Sequence, residues 1–237
     1  MRPGFPGQAE TGRRPIARAT SSHNTLCLGE RSSSRLVRDA RLEREIGGPP
    51  IQHPDNVTCA VRETDGAIEL EASHDGYVEG LGLIHTRSLK LDATGSRLEG
   101  RDRLGSEKAV VRFAWDVPYS IHFHLHPSVE ARIGTAPEIA ELWLDSGKLW
   151  QLTAAGAAVS IEESLYLADA SGPQLAQQVV LRAQCYGASE VGWTIERIAM
   201  GEPAYTEAHR RRGAGLVDRL AETSADSEET EEGSAES

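Results

Sequence analysis

Between Ala17 and Met200 the chain is written in short runs that alternate apolar and polar residues with a period of two. They include TLCL, AIELEAS, HTRSLKL, AVVRFAW, IHFHLH, AELWLDSGKLWQLTA, AAVSIEESLYLA, AQQVVLRAQ and VGWTIERI. Successive side chains of a strand point to opposite faces, so each run buries one face and wets the other. Gly, Asp and Ser punctuate the runs as turns would. The clearest hairpin spans Leu142 to Leu152 and folds at Asp145-Ser146-Gly147. Asp75-Gly76 also reads as a turn. No long segment of helical period interrupts the series, although SRLVRDARLEREI, from Ser34 to Ile46, suits a short helix or a charged edge strand. The pattern predicts an all-β chain, an antiparallel β-sandwich of roughly 9–14 short strands.

The texture changes at both ends. Residues 1–16 are rich in Pro and Gly and read as an irregular lead-in, residues 17–200 as the sandwich domain, and residues 201–237 as a tail that is basic and then acidic. The tail ends in SADSEETEEGSAES, which cannot bury enough apolar surface to offset its ordering entropy, so it is expected to be disordered. The net charge is −11, and the acids of the last stretch supply much of it, which excludes nucleic acid as a partner on electrostatic grounds. No run of apolar residues is long enough for a membrane span. The opening MRPGFPG lacks the apolar region of a secretory leader, so the chain as written is expected to be cytoplasmic. Its 3 cysteines form neither a CxxC motif nor a disulfide framework and read as small buried hydrophobes.

Chemistry-bearing side chains concentrate in the histidines. His122, His124 and His126 stand two apart in IHFHLHP and would share one strand face. With Glu130 they make half of a cupin-like metal motif, His124-x-His126-x3-Glu130, but the later histidine that such a site needs is present only as His209, in the polar tail. The imidazoles equally suit a polar face that bonds its neighbours or a sugar. His85 and Arg87 share a strand face by the same alternation and are candidate saccharide contacts with His122, His124 and His126. Trp143 and Trp150 lie on one hairpin, where indoles either stack on sugar rings or pack in the core.

Seven ordered segments carry a resemblance: ARATSSHNTLCL, SHDGYVEGLGLIHTRSLKL, SRLEGRDRL, IHFHLHPSV, LWLDSGKLWQL, IEESLYLA and QQVVLRAQ with VGWTIERI. Together they resemble the C-terminal β-domain of heparinase II/III-like polysaccharide lyases, over about residues 12–200. The resemblance implies a second part, an N-terminal α/α toroid whose Tyr, Asn and His residues perform β-elimination on uronate-containing glycans such as glycosaminoglycans, in the periplasm or cell envelope. It also implies a zinc site, of which His23, in the SHNT segment, would be one ligand of three. The segment of form H-x-H-x-D followed by D-x-G, which would bring the partner ligands, is absent, as is the toroid. One imidazole does not hold zinc. The expectations are therefore that the isolated chain holds no metal, has no catalytic residue of its own and is inactive alone, its partners being an acidic polysaccharide or the absent toroid. A stand-alone saccharide-binding sandwich and a cupin-like metalloenzyme are the alternatives. Lost first strands would also leave an unpaired sheet edge.

Overall fold

In the computed structural model the described residues are 19–29, 31–34, 52–106, 117–167, 172–185 and 189–198. The lead-in, the tail, the AVVRFAW run and the stretch from Arg35 to Ile46 lie outside them. The chain divides into two units, Met1–Ala199 and Met200–Ser237, and everything described here belongs to the first.

Among the described residues twelve strands are numbered in chain order. Strands β1 (Leu26–Leu28), β6 (Val117–His124), β11 (Gln174–Cys185) and β10 (Ala158–Tyr166) form a four-stranded sheet in that order. Strands β2 (Val57–Thr64), β3 (Ala67–Tyr77), β4 (Leu83–Leu91), β5 (Arg97–Gly105), β12 (Ser189–Ile198), β9 (Leu149–Ala155), β8 (Ile139–Leu144) and β7 (Val129–Ile133) form an eight-stranded sheet in that order. The pairings among them are antiparallel. The expected all-β sandwich is what the chain forms.

Alternation builds the layers. In β6, Val117, Tyr119, Ile121 and Phe123 are buried while Pro118, Ser120, His122 and His124 face outward. Opposite them the larger sheet contributes Leu83, Leu104, Ala140, Leu142, Leu152, Ala154, Val191 and Trp193. Each fully buried Leu or Val contributes about 1.5–3 kcal/mol through the surface it removes from water. Phe123 meets Trp193 edge-on across the interior, with centroids 4.8 Å apart and planes at 80°. Gly100 pairs with Trp193 across β5 and β12, and a Cβ there would fall inside the indole. The absent side chain is the space the indole occupies.

The hairpin at Asp145-Ser146-Gly147 forms as expected: Gly147 takes φ 76° and Leu144 N–H donates to Lys148 O at 3.0 Å. Between β2 and β3, Asp65 and Gly66 both have positive φ, 51° and 78°, as a two-residue primed turn requires. Asp75-Gly76 is a correction. These residues continue β3, with a register shift between His74 and Tyr77 that marks a bulge. Asp75 bonds Asn56 through both backbone and side chain, which holds this part of β3 against the segment leading into β2. Cys27 and Cys185 are buried as expected, but Cys59 is exposed on β2, and none of the three is in a disulfide.

Gly100→Ala is expected to lower stability by about 1–3 kcal/mol through overpacking against Trp193. Gly192→Ala on neighbouring β12, where a Cβ meets open space, should be near neutral. Urea unfolding of the two variants checks the contrast.

Candidate functional site

Asp102 is fully buried on the inner face of β5, with a relative exposure of 0%. Its Oδ1 accepts from His85 Nε2 at 2.7 Å and Arg87 Nε at 2.8 Å. Its Oδ2 accepts from an Arg87 terminal nitrogen at 2.9 Å and Trp193 Nε1 at 2.8 Å. Burial pushes the carboxyl pKa up, but the bond from His85 and the charge and bonds of Arg87 outweigh it and hold the group below its ordinary value. The other terminal nitrogen of Arg87 donates to Asn24 O at 2.5 Å, which carries the network to the segment entering β1.

His74 extends the chain of bonds. Gly76 N–H donates to His74 Nδ1 at 3.2 Å. That assigns the remaining proton of His74 to Nε2, which donates to His85 Nδ1 at 3.2 Å. The His85 proton then sits on Nε2, facing Asp102. A second proton on the His74 ring would set its Nδ1–H against the Gly76 N–H. Burial, then the neighbouring His85, lower the His74 pKa to about 4, against a smaller upward pull from Asp75.

This placement differs from the one expected for His85 and Arg87. They do share a face, but it is the inner one, and His85 is only 3% exposed. Their polar atoms bond Asp102, His74 and Asn24. Asp102, His74 and Trp193 were not among the expected site residues.

The outer face of the small sheet holds the other imidazoles. His122 and His124 stack, with centroids 5.9 Å apart and planes at 11°. His122 bonds Ser120 Oγ at 2.8 Å and donates to Gln178 Oε1 at 3.0 Å. His124 accepts from Ser164 Oγ at 2.7 Å and donates to Ser21 O at 2.9 Å, while its backbone N–H donates to Asn24 Oδ1 at 2.7 Å. Glu162 and Arg182 lie on the same face, paired at 2.5 Å and both bonded to Ser160. Burial lowers the His124 pKa, opposed by the Ser21 carbonyl and assisted by the nearby His122 and His23. His23 stands between Ser21 and Asn24, both of which bond His124.

His126 departs from the expected row. The strand ends at His124, and the chain then turns at Pro127-Ser128, where Val129 N–H donates to His126 O at 2.9 Å. His126 bonds Ser128 at 2.8 Å and meets the Tyr166 ring edge-on at 5.0 Å. Glu130 pairs with Arg132 at 2.7 Å rather than joining the histidines. Among the described residues no group of three His, Cys, Asp or Glu could hold a metal, so neither the cupin-like set nor a zinc set around His23 is assembled from them. Trp143 and Trp150 do not form a joint platform: Trp150 packs on the core, whereas Trp143 lies one residue out of phase on β8 and donates to Glu141 Oε2 at 3.3 Å. A separate groove of about 590 Å³ crosses the outer face of the large sheet, over Thr153, Ala155 and Gly192. Its rim charges are largely paired, Lys90 with Glu69 at 2.9 Å and Arg97 with Glu99 at 2.9 Å.

Asp102→Asn removes the charge that neutralises Arg87 and is expected to cost about 3–5 kcal/mol, measured by urea unfolding. His74 gives a pH dependence of known sign. Its folded pKa, about 4, lies below the ordinary value of 6.5, so between these values the unfolded chain binds a proton that the folded chain does not. Stability is complete above about pH 6.5 and declines as the pH falls towards 4. Thermal melts over this range should show the decline, and His74→Gln should flatten it.

Known proteins share this architecture. The chain is 28% identical over 171 residues to FtsZ-localized protein C of Caulobacter vibrioides, covering 70% of this chain and 29% of that one. Its fold matches heparan sulfate lyase HepC from Pedobacter heparinus at 14% identity, TM-score 0.61, over 85% of this chain and 28% of the other. It matches a heparinase III gene product at 12% identity, TM-score 0.56, over 82% and 26%. The chain thus spans under a third of the length of each of these relatives. No helix among the described residues is long and apolar enough to cross a membrane. Residues 3–194 match the model of the family described as heparinase II/III-like, C-terminal, and the chain belongs to that family.

Proposed function

We propose that this chain is the saccharide-facing β-sandwich module of a heparinase II/III-like polysaccharide lyase and does not perform β-elimination by itself. The carrying observation is the outer face of the small sheet, where His122, His124, Ser160, Ser164, Gln178 and the Glu162–Arg182 pair form a polar, hydrogen-bonding surface with His23 beside it. Such a surface suits hydroxyls and carboxylates of an acidic glycan. His126 lies two residues beyond the end of β6, edge-on to Tyr166 of β10.

β-Elimination needs a base for the proton α to the uronate carboxyl, an acid for the leaving oxygen and a group that neutralises the carboxylate, held in one cleft. An open sheet face supplies contacts but no enclosed cleft of this kind. The catalytic groups would come from an α/α toroid, and any zinc held by His23 would need ligands beyond the described residues. The purified chain is expected to bind heparan sulfate or another uronate polymer weakly in calorimetry, and to release no ultraviolet-absorbing unsaturated uronate from it. His122→Ala with His124→Ala should weaken binding about tenfold, equal to about 1.4 kcal/mol. Absence of binding, or release of unsaturated product, contradicts the proposal.

The identity to FtsZ-localized protein C favours a second reading, in which the sandwich belongs to a protein of the division site. A fluorescent fusion that collects at midcell would support it, and a uniform distribution would not.

A further inference from the structure

Among the described residues the margin of the eight-stranded sheet is β2, sequence VTCAVRET, and all eight of its residues are exposed. Val57 is 68% exposed and Val61 61%, high values for apolar side chains of a regular strand. Natural sheets protect their edges with Lys, Pro, bulges or very short strands. β2 has none of these; its charges, Arg62 and Glu63, stand next to the turn.

The register states which peptide groups face outward. The two-residue turn makes Thr64 and Ala67 a hydrogen-bonded pair, and at the other end Asn56 O accepts from Asp75 N–H at 3.2 Å. Even-numbered residues of β2 therefore bond to β3. The N–H and C=O groups of Val57, Cys59, Val61 and Glu63 point away from the sheet. Their side chains share a face with Ile68, Leu70, Ala72 and His74 of β3, so an apolar strip runs along the open edge.

We propose that β2 is a homotypic interface, pairing antiparallel with β2 of a second copy about a two-fold axis at Ala60. Antiparallel partners must share a face, which restricts the register to residue sums that are even. Centring on Ala60 sets Cys59 against Val61, Arg62 against Thr58 and Glu63 against Val57, using the strand from 57 to 63. Centring on Cys59 would shorten the paired stretch to residues 57–61, and centring on Val61 would bring both Arg62 side chains onto one diagonal. Like charges in such positions are unfavourable. The two apolar strips become continuous, and the outward peptide groups of both copies are satisfied. The pairing buries on the order of 500 Å² per copy, close to the lower limit of about 1,000 Å² in total for specific association. The dimer is therefore weak and concentration-dependent.

Sedimentation of the full chain over a wide concentration range should show reversible dimerisation. Cys59→Ser with Ala60→Cys places a thiol on the proposed axis, at a pair that is not hydrogen-bonded and has Cα atoms about 4.5 Å apart, within disulfide reach. With Cys27 and Cys185 buried, mild oxidation should give a covalent dimer through the thiol introduced at position 60. Val61→Pro removes one outward N–H and blocks the edge without removing a β2–β3 bond. It should leave the chain monomeric with an unchanged thermal melt. A chain that stays monomeric at every concentration overturns the proposal. So does a dimer that survives Val61→Pro in a folded chain, or one that fails to cross-link through position 60.

Discussion

The buried Asp102 carboxylate is the interaction on which the interior depends. A charge in that position is tolerated because four donors from three side chains surround it, and those side chains come from both neighbouring strands, β4 and β12. The same bonds set the pose of the Trp193 indole, which fills the space over Gly100 and meets Phe123 of the opposite sheet. Arg87 also lies 5.8 Å from the Trp193 ring centroid, so one guanidinium serves the carboxylate, the ring and the Asn24 carbonyl. Replacing such a cluster by hydrocarbon would not by itself destabilise the fold, but removing one member strands the others.

The cluster links core to surface through Asn24. Arg87 holds the Asn24 carbonyl, the Asn24 side chain accepts from the His124 backbone, and His124 bonds Ser21 and Ser164. Tyr77 adds a second tie between the sheets by donating its hydroxyl proton to Leu26 O at 2.9 Å. The small sheet's polar face thus rests on a rigid base rather than on a loose loop. Preorganised side chains of this kind lose less entropy when they meet a ligand.

The proposed saccharide face and the proposed edge interface are far apart in character. One is a hydrogen-bonded polar surface in the middle of the four-stranded sheet. The other is a row of outward peptide groups on the margin of the eight-stranded sheet. A second copy joined at β2 would extend the large sheet and leave the outer face of the small sheet open to its ligand. Cys59 shows how position alters a residue type: a thiol that is buried in the core at Cys27 and Cys185 is accessible on the edge.

Period-two alternation determined the strands, their faces and the sandwich, because a pleated strand between a core and water has no other way to satisfy both. The Asp145-Ser146-Gly147 hairpin was legible for a similar local reason, the left-handed φ that Gly147 accepts at no steric cost. Asp75-Gly76 has the same composition as a turn but became a bulge, since Asn56, distant in sequence, binds Asp75 there. Asp102 stands in the charged run EGRDRL, and nothing local to that run marks its carboxylate as buried. Only the tertiary structure decided its burial, because the donors that offset the desolvation of a carboxylate arrive from His85, Arg87 and Trp193. Alternation likewise put His122 and His124 on one face and His85 and Arg87 on another, but which face lies inside depends on where the second sheet packs.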